Sequence, residues 1–312
     1  MEDMANINCY IFKIGRSIYM DKCTEMYFLF GDELKSSEEF DSYSSDAGKS
    51  LYEVIRVSDG IPIFFMEHLT RLENSAKIMK YSLTITRNEI INGVIKLISH
   101  NKVKDGNLKL VINYNPDDEN LYNKGSNENF LVYFVKHSYP TKNQYIDGVK
   151  TITYHGERSN PNAKVINNEF RENVNLKIMS KNVYEAILVD NAGYITEGSK
   201  SNIFMVKGTT VVTSRVMNVL PGITRQFIIK TCEKLNIKFI EKDVFEKDLK
   251  SYNGLFISGT SPKVLPIESV DGFSFNSSEN SIIKAIMLGF DDELKENKQK
   301  FVKFISNRTI NK

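Results

Sequence analysis

Segments with the pattern of strands alternate with segments of helical period in both halves of the chain, and this alternation constrains the fold more than any other feature. Residues 51–57 are rich in β-branched side chains and precede the turn Ser58-Asp59-Gly60, a combination typical of a strand. From Glu67 the apolar residues follow the spacing of one helix face. The same mixture returns after residue 147. The sequence therefore predicts an α/β fold with mixed α+β sheets.

The length of the chain favours two domains. A chain of 312 residues exceeds a typical single hydrophobic core, so two α/β domains with a cleft between them are expected. The strand and helix patterns of the first half end near residue 137, and the polar stretch around Pro140 is the best linker candidate. We predict a small N-terminal domain over 1–137, a linker over 138–146 and a larger C-terminal domain over 147–312.

Period, turn signals and capping residues assign the expected elements. Strands are predicted at 26–30, 51–57, 61–65, 108–114, 130–135, 149–154, 186–189, 194–196 and 202–206, with the last at 254–258. Helices are predicted from Glu67, from the capping box of Thr86 and Glu89, over about 165–181, after Gly222 and after Ser281.

The charge balance indicates a small-molecule partner. The 41 basic and 39 acidic residues give a formal net charge of +2, so the chain presents no large field of one sign to attract nucleic acid or an anionic membrane. No stretch has the run of apolar residues needed to cross a bilayer, and the N-terminus lacks the basic start and apolar core of a secretory signal. We expect a cytoplasmic protein that binds neither nucleic acid nor membrane.

The cysteines and histidines suggest neither a disulfide framework nor a metal centre. Cys9, Cys23 and Cys232 are odd in number, widely spaced and without a CxxC pair, which favours a reducing compartment. The four histidines are scattered singly, and no two have the i, i+4 spacing of a helical metal site. No metal is expected.

The tripeptide Gly48-Lys49-Ser50 has some likeness to a nucleotide-binding loop. That loop also requires a glycine five positions before Gly48, where this chain has Tyr43. The residues that follow are predicted as a strand rather than the helix that such a loop needs. We interpret the tripeptide as an ordinary loop.

Two glycine-containing turns are candidates for one anion site. In 220–225, with the sequence LPGITR, a glycine precedes a predicted helix, so N–H groups at Ile223 and Thr224 and the threonine hydroxyl could converge on an anion. An ordinary capped helix is the simpler explanation. A second turn, Gly259-Thr260-Ser261, follows a strand and could supply further donors. Together the two turns favour a single phosphate between them.

Two charged residues are candidates for the same cleft. Arg71 lies on the first amphipathic helix, from which a guanidinium could make a bidentate contact with a phosphate. A solvated surface arginine is the alternative. Glu197 ends the second strand of the predicted hairpin, where a carboxylate could face into the cleft, although a glutamate in this position is commonly just a turn residue.

Taken together, these segments resemble the fold type IV pyridoxal-phosphate enzymes, the class IV aminotransferases. The family includes branched-chain aminotransferases, D-amino-acid aminotransferases and aminodeoxychorismate lyases. The blocks that carry the resemblance are YEVIRVSDGIPIFFMEHLTRL at 52–72, GYITEGSKSNIF at 193–204, LPGITR at 220–225 and FISGTSPKVLPI at 256–267. The resemblance implies the two-domain fold of that family, with the cofactor in the cleft between a small N-terminal and a larger C-terminal domain.

The resemblance implies that Lys164 holds pyridoxal 5′-phosphate as a Schiff base and acts as the general base. The family's lysine lies a little over thirty residues before the glutamate of the TEGS block, and here the spacing is 197 − 164 = 33. Glu197 would contact the pyridine nitrogen, and a carboxylate there keeps that nitrogen protonated so that the ring can accept electrons. The phosphate would be held by Arg71, Ile223, Thr224 and Thr260.

The leading hypothesis is an aminotransferase that moves an amino group from an α-amino acid, of the branched-chain type among others, to a 2-keto acid. Two alternatives remain open: an aminodeoxychorismate lyase that releases pyruvate with the same cofactor set, and a non-catalytic relative that keeps the fold. The resemblance also implies a homodimer whose neighbouring subunit helps to close the pocket.

Two features depart from the family pattern. The glycine-rich run that commonly precedes the first signature strand is replaced by residues 45–53. An arginine often found on a small-domain strand is matched at best by Lys109, which would contact a carboxylate less directionally. Neither position therefore indicates a particular amino acid as the substrate.

Overall fold

The computed structural model describes residues 21–43, 50–113 and 130–310. Its strands form two sheets, and the chain completes the first sheet before it enters the second. The predictions made for the N-terminal twenty residues, including Cys9, and for Gly48 and Lys49 fall outside the described residues. Within the described ranges, no helix is both long and apolar enough to span a bilayer, and no group of three or more His, Cys, Asp or Glu side chains could hold a metal ion.

The first sheet is antiparallel and has six strands. They are β1 (Tyr27–Phe30), β2 (Glu33–Ser36), β3 (Leu51–Ser58), β4 (Ile61–Pro62), β5 (Gly106–Ile112) and β6 (Phe130–Val135), in the order β2-β1-β6-β5-β3-β4. A short 3₁₀ turn (Ser37–Glu39) leads into α1, and the helices in the described residues of this part are α1 (Phe40–Tyr43), α2 (Phe65–Met79) and α3 (Arg87–Asn101).

Helices α2 and α3 bury one apolar face each against the first sheet. Leu69, Leu72 and Ala76 of α2 share a core with Val94 and Leu97 of α3 and with the inward residues of β3, β5 and β6. The capping box predicted at the start of α3 is confirmed, because the side chain of Thr86 accepts from the Glu89 amide while the Glu89 side chain accepts from the Thr86 amide.

The second sheet has nine strands and mixes parallel with antiparallel pairs. They are β7 (Val149–His155), β8 (Glu185–Val189), β9 (Ile195–Gly198), β10 (Asn202–Lys207), β11 (Thr210–Thr213), β12 (Lys238–Glu241), β13 (Gly254–Gly259), β14 (Lys263–Val270) and β15 (Phe273–Ser274). The order is β12-β11-β10-β13-β14-β7-β8-β9, with β15 paired to β14. Parallel pairs join β7 to β8 and β14, and β11 to β12. The α/β prediction with mixed sheets is confirmed.

Four helices and two 3₁₀ turns accompany the second sheet. The helices are α4 (Lys142–Asp147), α5 (Asn168–Lys181), α6 (Ile223–Lys234) and α7 (Ser281–Ile310), and the 3₁₀ turns are Val216–Asn218 and Glu246–Ser251. The long helix α7 joins both parts of the molecule, because Ile286 and Phe290 pack in a core with α6, whereas Phe301 and Phe304 pack against the core of the first sheet.

Some element predictions need correction. The predicted strand 61–65 ends at Pro62, because α2 begins at Phe65. The helix predicted from about residue 165 begins at Asn168, where the side chain of Asn167 caps it. The predicted last strand is followed by β14 and β15, and β2, β11 and β12 were not predicted.

The segment predicted as a linker contains a short helix. α4 begins after Thr141, whose side chain forms a capping box with Gln144, and it ends before Gly148. The strands of the first sheet end at Val135 and those of the second begin at Val149. The two boundaries of the linker, at 137/138 and 146/147, stay a prediction.

Candidate active site

Lys164 is held by its backbone against the edge of β3 that faces away from β5. The N–H of Tyr52 donates to the Lys164 carbonyl (3.1 Å), and Val165 forms an antiparallel bridge with Leu51. The N–H of Lys164 donates to Oγ of Ser75 on α2 (3.2 Å). Although the residue is half-buried overall, its amine lies inside the protein, and this desolvation lowers the pKa of Lys164. Burial therefore increases the fraction of the amine that is neutral and reactive at any given pH.

The ring of Tyr52 lies beside that amine and is surrounded by positive charge. Lys164 Nζ is 4.5 Å from the ring centre, Lys109 Nζ is 5.5 Å away, and the Arg171 guanidinium carbon is 5.7 Å away. Burial alone would raise the pKa of Tyr52, but the charges of these groups and of Arg158 lower it to about 7. Tyr52 can thus exchange a proton near neutral pH, next to Lys164.

Glu197, at the end of β9, is buried and accepts hydrogen bonds from the loop before α6. Its Oε2 accepts from the Leu220 amide (3.1 Å) and from Nδ2 of Asn202 (3.5 Å), and its Oε1 is 3.1 Å from Nε of Arg158. Burial raises the pKa of Glu197, while Arg158 and the Leu220 amide act in the opposite direction. The carboxylate is therefore a fixed acceptor inside the protein, with a cation that favours its ionised form.

Arg71 is buried and paired with a carboxylate that the sequence analysis did not single out. Nε and Nη2 of Arg71 donate to Oε1 (2.8 Å) and Oε2 (2.5 Å) of Glu53, and Nδ1 of His68 lies 2.7 Å from the same Oε2. Burial alone would raise the pKa of Glu53, which is 0% exposed, but Arg71 and His68 lower it to about 2. Nη1 of Arg71 donates to the Pro221 carbonyl (3.4 Å). The alternative of a solvated surface arginine is wrong.

Ile223 and Thr224 form the first turn of α6, and both are buried. The residue before them, Gly222, has no side chain to cap the helix, and the first turn contains no acidic residue. The positive end of the helix dipole and its N–H groups are therefore available to an anion. A Cβ at Gly222 would overlap the side-chain oxygen of Asn202, whose Nδ2 donates to the Leu220 carbonyl (3.0 Å).

Thr260 follows β13 and reaches the same edge of β3 as Lys164. Its Oγ1 donates to the Val54 carbonyl (3.3 Å). Ser258, two residues earlier, is opposite Asn202 in the register of β13 and β10, so the two side chains share a face of the sheet. Among the described residues, no partner meets the buried hydroxyl of Ser258. A polar ligand on this face would satisfy it.

The structure thus brings the six predicted site residues around one place. Tyr52, Glu53 and Val54 of β3 contact Lys164, Arg71 and Thr260 respectively. In a second group, Nδ2 of Asn202 donates both to Glu197 and to the Leu220 carbonyl, which lies in the loop before Ile223 and Thr224. The contact between Arg71 and the Pro221 carbonyl links the two groups. The arrangement combines a desolvated amine, a buried carboxylate and a helix start that no side chain caps.

Sequence reasoning did not assign roles to Tyr52, Glu53, Arg158 and Asn202. Tyr52, Glu53 and Asn202 lie inside the motifs that were recognised, so each could have been questioned as a polar residue in an otherwise apolar strand. Arg158 lies in the polar stretch before Lys164, where nothing in the sequence indicates its pairing with Glu197.

Comparison with known proteins identifies the class. The family model of class IV amino-transferases matches residues 50–270. A protein of Methanocaldococcus jannaschii assigned as a branched-chain-amino-acid aminotransferase is 30% identical over 78% of this chain and 87% of its own length. The D-alanine aminotransferase of Bacillus licheniformis is 30% identical over 74% and 82%.

A solved structure shows the same fold. The branched-chain amino acid aminotransferase of Escherichia coli superposes with a TM-score of 0.77 at 24% identity, covering 87% of this chain and 95% of that one. The fold is that of the fold type IV enzymes. The chain belongs to the class IV aminotransferases, a pyridoxal-phosphate-dependent family, and the prediction of an enzyme of this family is confirmed.

Proposed function

We propose that the protein transfers an amino group between an α-amino acid and a 2-keto acid with pyridoxal 5′-phosphate held covalently by Lys164. The observation that carries the proposal is the Lys164 amine, which is withdrawn from solvent and lies 4.5 Å from the ring centre of Tyr52. When bound, the cofactor supplies an electron-poor ring that stabilises the charge left when a proton leaves the substrate Cα.

The residues present fit such a group. A covalent bond needs a neutral amine, and the lowered pKa of Lys164 increases the neutral fraction at any given pH. The unpartnered hydroxyl of Ser258 and the uncapped start of α6 are polar groups that a phosphate or a ring substituent would satisfy. We assign the phosphate to Arg71, Ile223, Thr224 and Thr260, and the pyridine nitrogen to Glu197.

Lys164 and Tyr52 are placed to handle protons. The Lys164 amine would act as the general base, which accepts the proton from the substrate Cα and later donates it back. Tyr52, with a pKa of about 7, can hold or release a proton beside it. A group that titrates near the working pH, as Tyr52 does, is suited to general acid–base catalysis.

Glu197 must be ionised to keep a pyridine nitrogen protonated. Burial opposes ionisation, since it raises the pKa of the carboxyl group, whereas the Arg158 ion pair favours it. We therefore assign Arg158 the task of keeping Glu197 charged. The Glu197 carboxylate would then hold the pyridine nitrogen while Arg158 keeps the carboxylate ionised.

For the substrate we propose an aliphatic amino acid, with branched-chain acids as the first candidates. Support comes from the relatives, which are named as branched-chain-amino-acid and D-alanine aminotransferases. Lys109, at best a counterpart of the arginine that the family often has on a small-domain strand, forms an ion pair with Asp21 and lies near the ring of Tyr52. A substrate carboxylate at Lys109 would have to compete with Asp21.

The direct test is a screen of amino donors and keto acceptors on the purified protein, in which both half-reactions are followed by the cofactor absorption spectrum. Amino transfer from L- or D-amino acids to a 2-keto acid is the expected result. The lyase alternative predicts pyruvate release from aminodeoxychorismate without an added acceptor. Because both relatives are named as aminotransferases, amino transfer is the favoured outcome.

We also propose a homodimer in the cytoplasm, in which the neighbouring subunit helps to close the pocket. The support is the family resemblance and, for the compartment, the odd number of cysteines, of which Cys23 and Cys232 in the described ranges are free thiols. Sedimentation at several protein concentrations would show a single species of twice the chain mass. A monomer with full activity would contradict the dimer.

A further inference from the structure

Phe64, the residue before α2, has an unusual backbone conformation. Its φ of 51° and ψ of 34° lie in the left-handed region, which is unfavourable for a bulky side chain. The residue is 3% exposed, so its surroundings hold it in place. A residue keeps such a strained conformation when contacts from several surrounding elements hold it there.

Three helices meet at Phe64. Its N–H donates to Oδ1 of Asn297 on α7 (2.7 Å). Its ring stacks on Phe227 of α6, with centroids 3.8 Å apart and planes at 20°, and lies 6.0 Å from the ring of Phe290 on α7. The start of α2 is therefore fixed to both α6 and α7 through one residue.

The two elements that Phe64 joins are the ones assigned to the phosphate. Arg71 lies about two helical turns after Phe64 on α2, and Phe227 lies about one turn after Ile223 on α6. A stacked pair of rings sets the spacing between the two helices, and Nη1 of Arg71 meets the Pro221 carbonyl across the same gap. A shift at Phe64 would thus change the distance from Arg71 to the N–H groups of α6.

The C-terminal helix supplies the hydrogen bond that holds Phe64. Asn297 belongs to the part of α7 that reaches the first sheet, where Phe301 and Phe304 pack on its core. The neighbouring residue, Lys298, makes a separate tether to Ser58 (2.9 Å) and Asp59 (2.6 Å). Two adjacent residues of α7 thus hold the N-terminal part, Asn297 at the start of α2 and Lys298 at the end of β3.

We propose that Phe64 and Asn297 are positioning residues that set Arg71 against the start of α6, and that α7 thereby controls the affinity for the cofactor phosphate. The inference rests on the proposed function, because it takes that phosphate to lie between Arg71 and α6. The expected effect is limited to binding of the 5′-phosphate, because none of the contacts of Phe64 and Asn297 described above involves Lys164 or Glu197.

The test compares pyridoxal 5′-phosphate with pyridoxal, which has the aldehyde and ring but no phosphate. Apo-protein carrying Asn297→Ala is titrated with each compound, and the dissociation constants are read from the absorbance of the lysine adduct. Asn297→Asp, which keeps an acceptor oxygen, serves as the rescue variant. Lys298→Ala is the matched control, because it removes the adjacent tether without touching Phe64.

The expected result is that Asn297→Ala weakens pyridoxal 5′-phosphate about tenfold, as the loss of one buried hydrogen bond allows, while the affinity for pyridoxal stays unchanged. Asn297→Asp should restore the affinity, and Lys298→Ala should leave both constants as in the wild type. Equal weakening of both compounds, no change in either, or the same effect from Lys298→Ala would overturn the inference. A wild-type protein that binds neither compound would instead refute the proposed function itself.

Discussion

Tyr52 and Lys164 are joined twice. The amide of Tyr52 donates to the carbonyl of Lys164 at 3.1 Å, and the amine of Lys164 lies 4.5 Å from the ring centre of Tyr52. The main-chain hydrogen bond fixes the backbone position of Lys164, and the ring of Tyr52 restricts the positions that the amine can occupy. A long, flexible side chain is thereby confined near one point, which is what a residue that must form a covalent bond requires.

Replacing Lys164 by alanine should abolish turnover and leave the fold intact. The amine is the proposed point of attachment and the base, so we expect a loss of about 10³-fold or more in the rate of amino transfer. The rate of the first half-reaction is the measurement. Lys177→Ala, on the exposed side of α5, is the matched control, and undiminished transamination in Lys164→Ala would refute the assignment.

Glu53→Gln should destabilise the protein at neutral pH. The change leaves the guanidinium of Arg71 buried without its counter-charge, which costs about 3 kcal/mol. The pKa of Glu53 falls from 4.5 to about 2 on folding, so its ionisation stabilises the folded state above pH 4.5, and that contribution is lost as the pH falls towards 2.

Urea unfolding of both proteins from neutral pH down to about pH 2 tests this prediction. The difference in free energy of unfolding should shrink as the medium becomes acidic. Glu33→Gln, at an exposed ion pair with Lys35, is the control and should change little. A difference that stays constant with pH would show that Glu53 acts by packing alone.

Tyr52→Phe should remove an ionisation near neutral pH. The folded-state pKa of about 7 lies below the ordinary value of 10.0, so the tyrosinate stabilises the folded protein above pH 10, and this contribution disappears as the pH falls through about 7. The free energy of unfolding should therefore rise between these limits in the wild type and stay flatter in the variant. Ultraviolet difference spectra would follow the tyrosinate directly, and a wild-type midpoint close to 10 would contradict the prediction.

Gly222→Ala should disturb the start of α6. The added Cβ overlaps the side-chain oxygen of Asn202, so either Asn202 or the helix must move, at a cost of about 1–3 kcal/mol. Since Asn202 also contacts Glu197, we expect weaker binding of pyridoxal 5′-phosphate together with a lower melting temperature. Gly208→Asn, in a turn with open space around it, is the control. Unchanged cofactor affinity in the alanine variant would argue against a phosphate at this helix.

Local signals in the sequence predicted much of the site, because they depend on neighbours along the chain. The capping box of α3, the glycine before α6 and the turn around Thr260 are each contained within a few residues. The role of Lys164 was predicted from the family resemblance rather than from a local signal. Strand β14 was not predicted, since its residues follow directly on the turn at 259–262 and include Pro266, which disfavours a strand.

Pairings between distant residues could not be predicted. Glu53 and Arg71 are 18 residues apart, and their ion pair depends on how α2 packs across β3. Arg158 and Glu197 meet only because β7 and β9 flank the same strand, β8. Such contacts follow from the tertiary fold, and one sequence contains no signal for them.

The edge of β3 that faces away from β5 has a consequence for solubility. Main-chain groups of Tyr52 and Val54 on that edge bond to Lys164 and Thr260, so residues of the candidate active site cover a strand that would otherwise offer unpaired donors and acceptors to another chain. Variants that dislodge the segment around Lys164 should therefore aggregate as well as lose activity, and such aggregation would mark an uncovered strand rather than an unfolded protein.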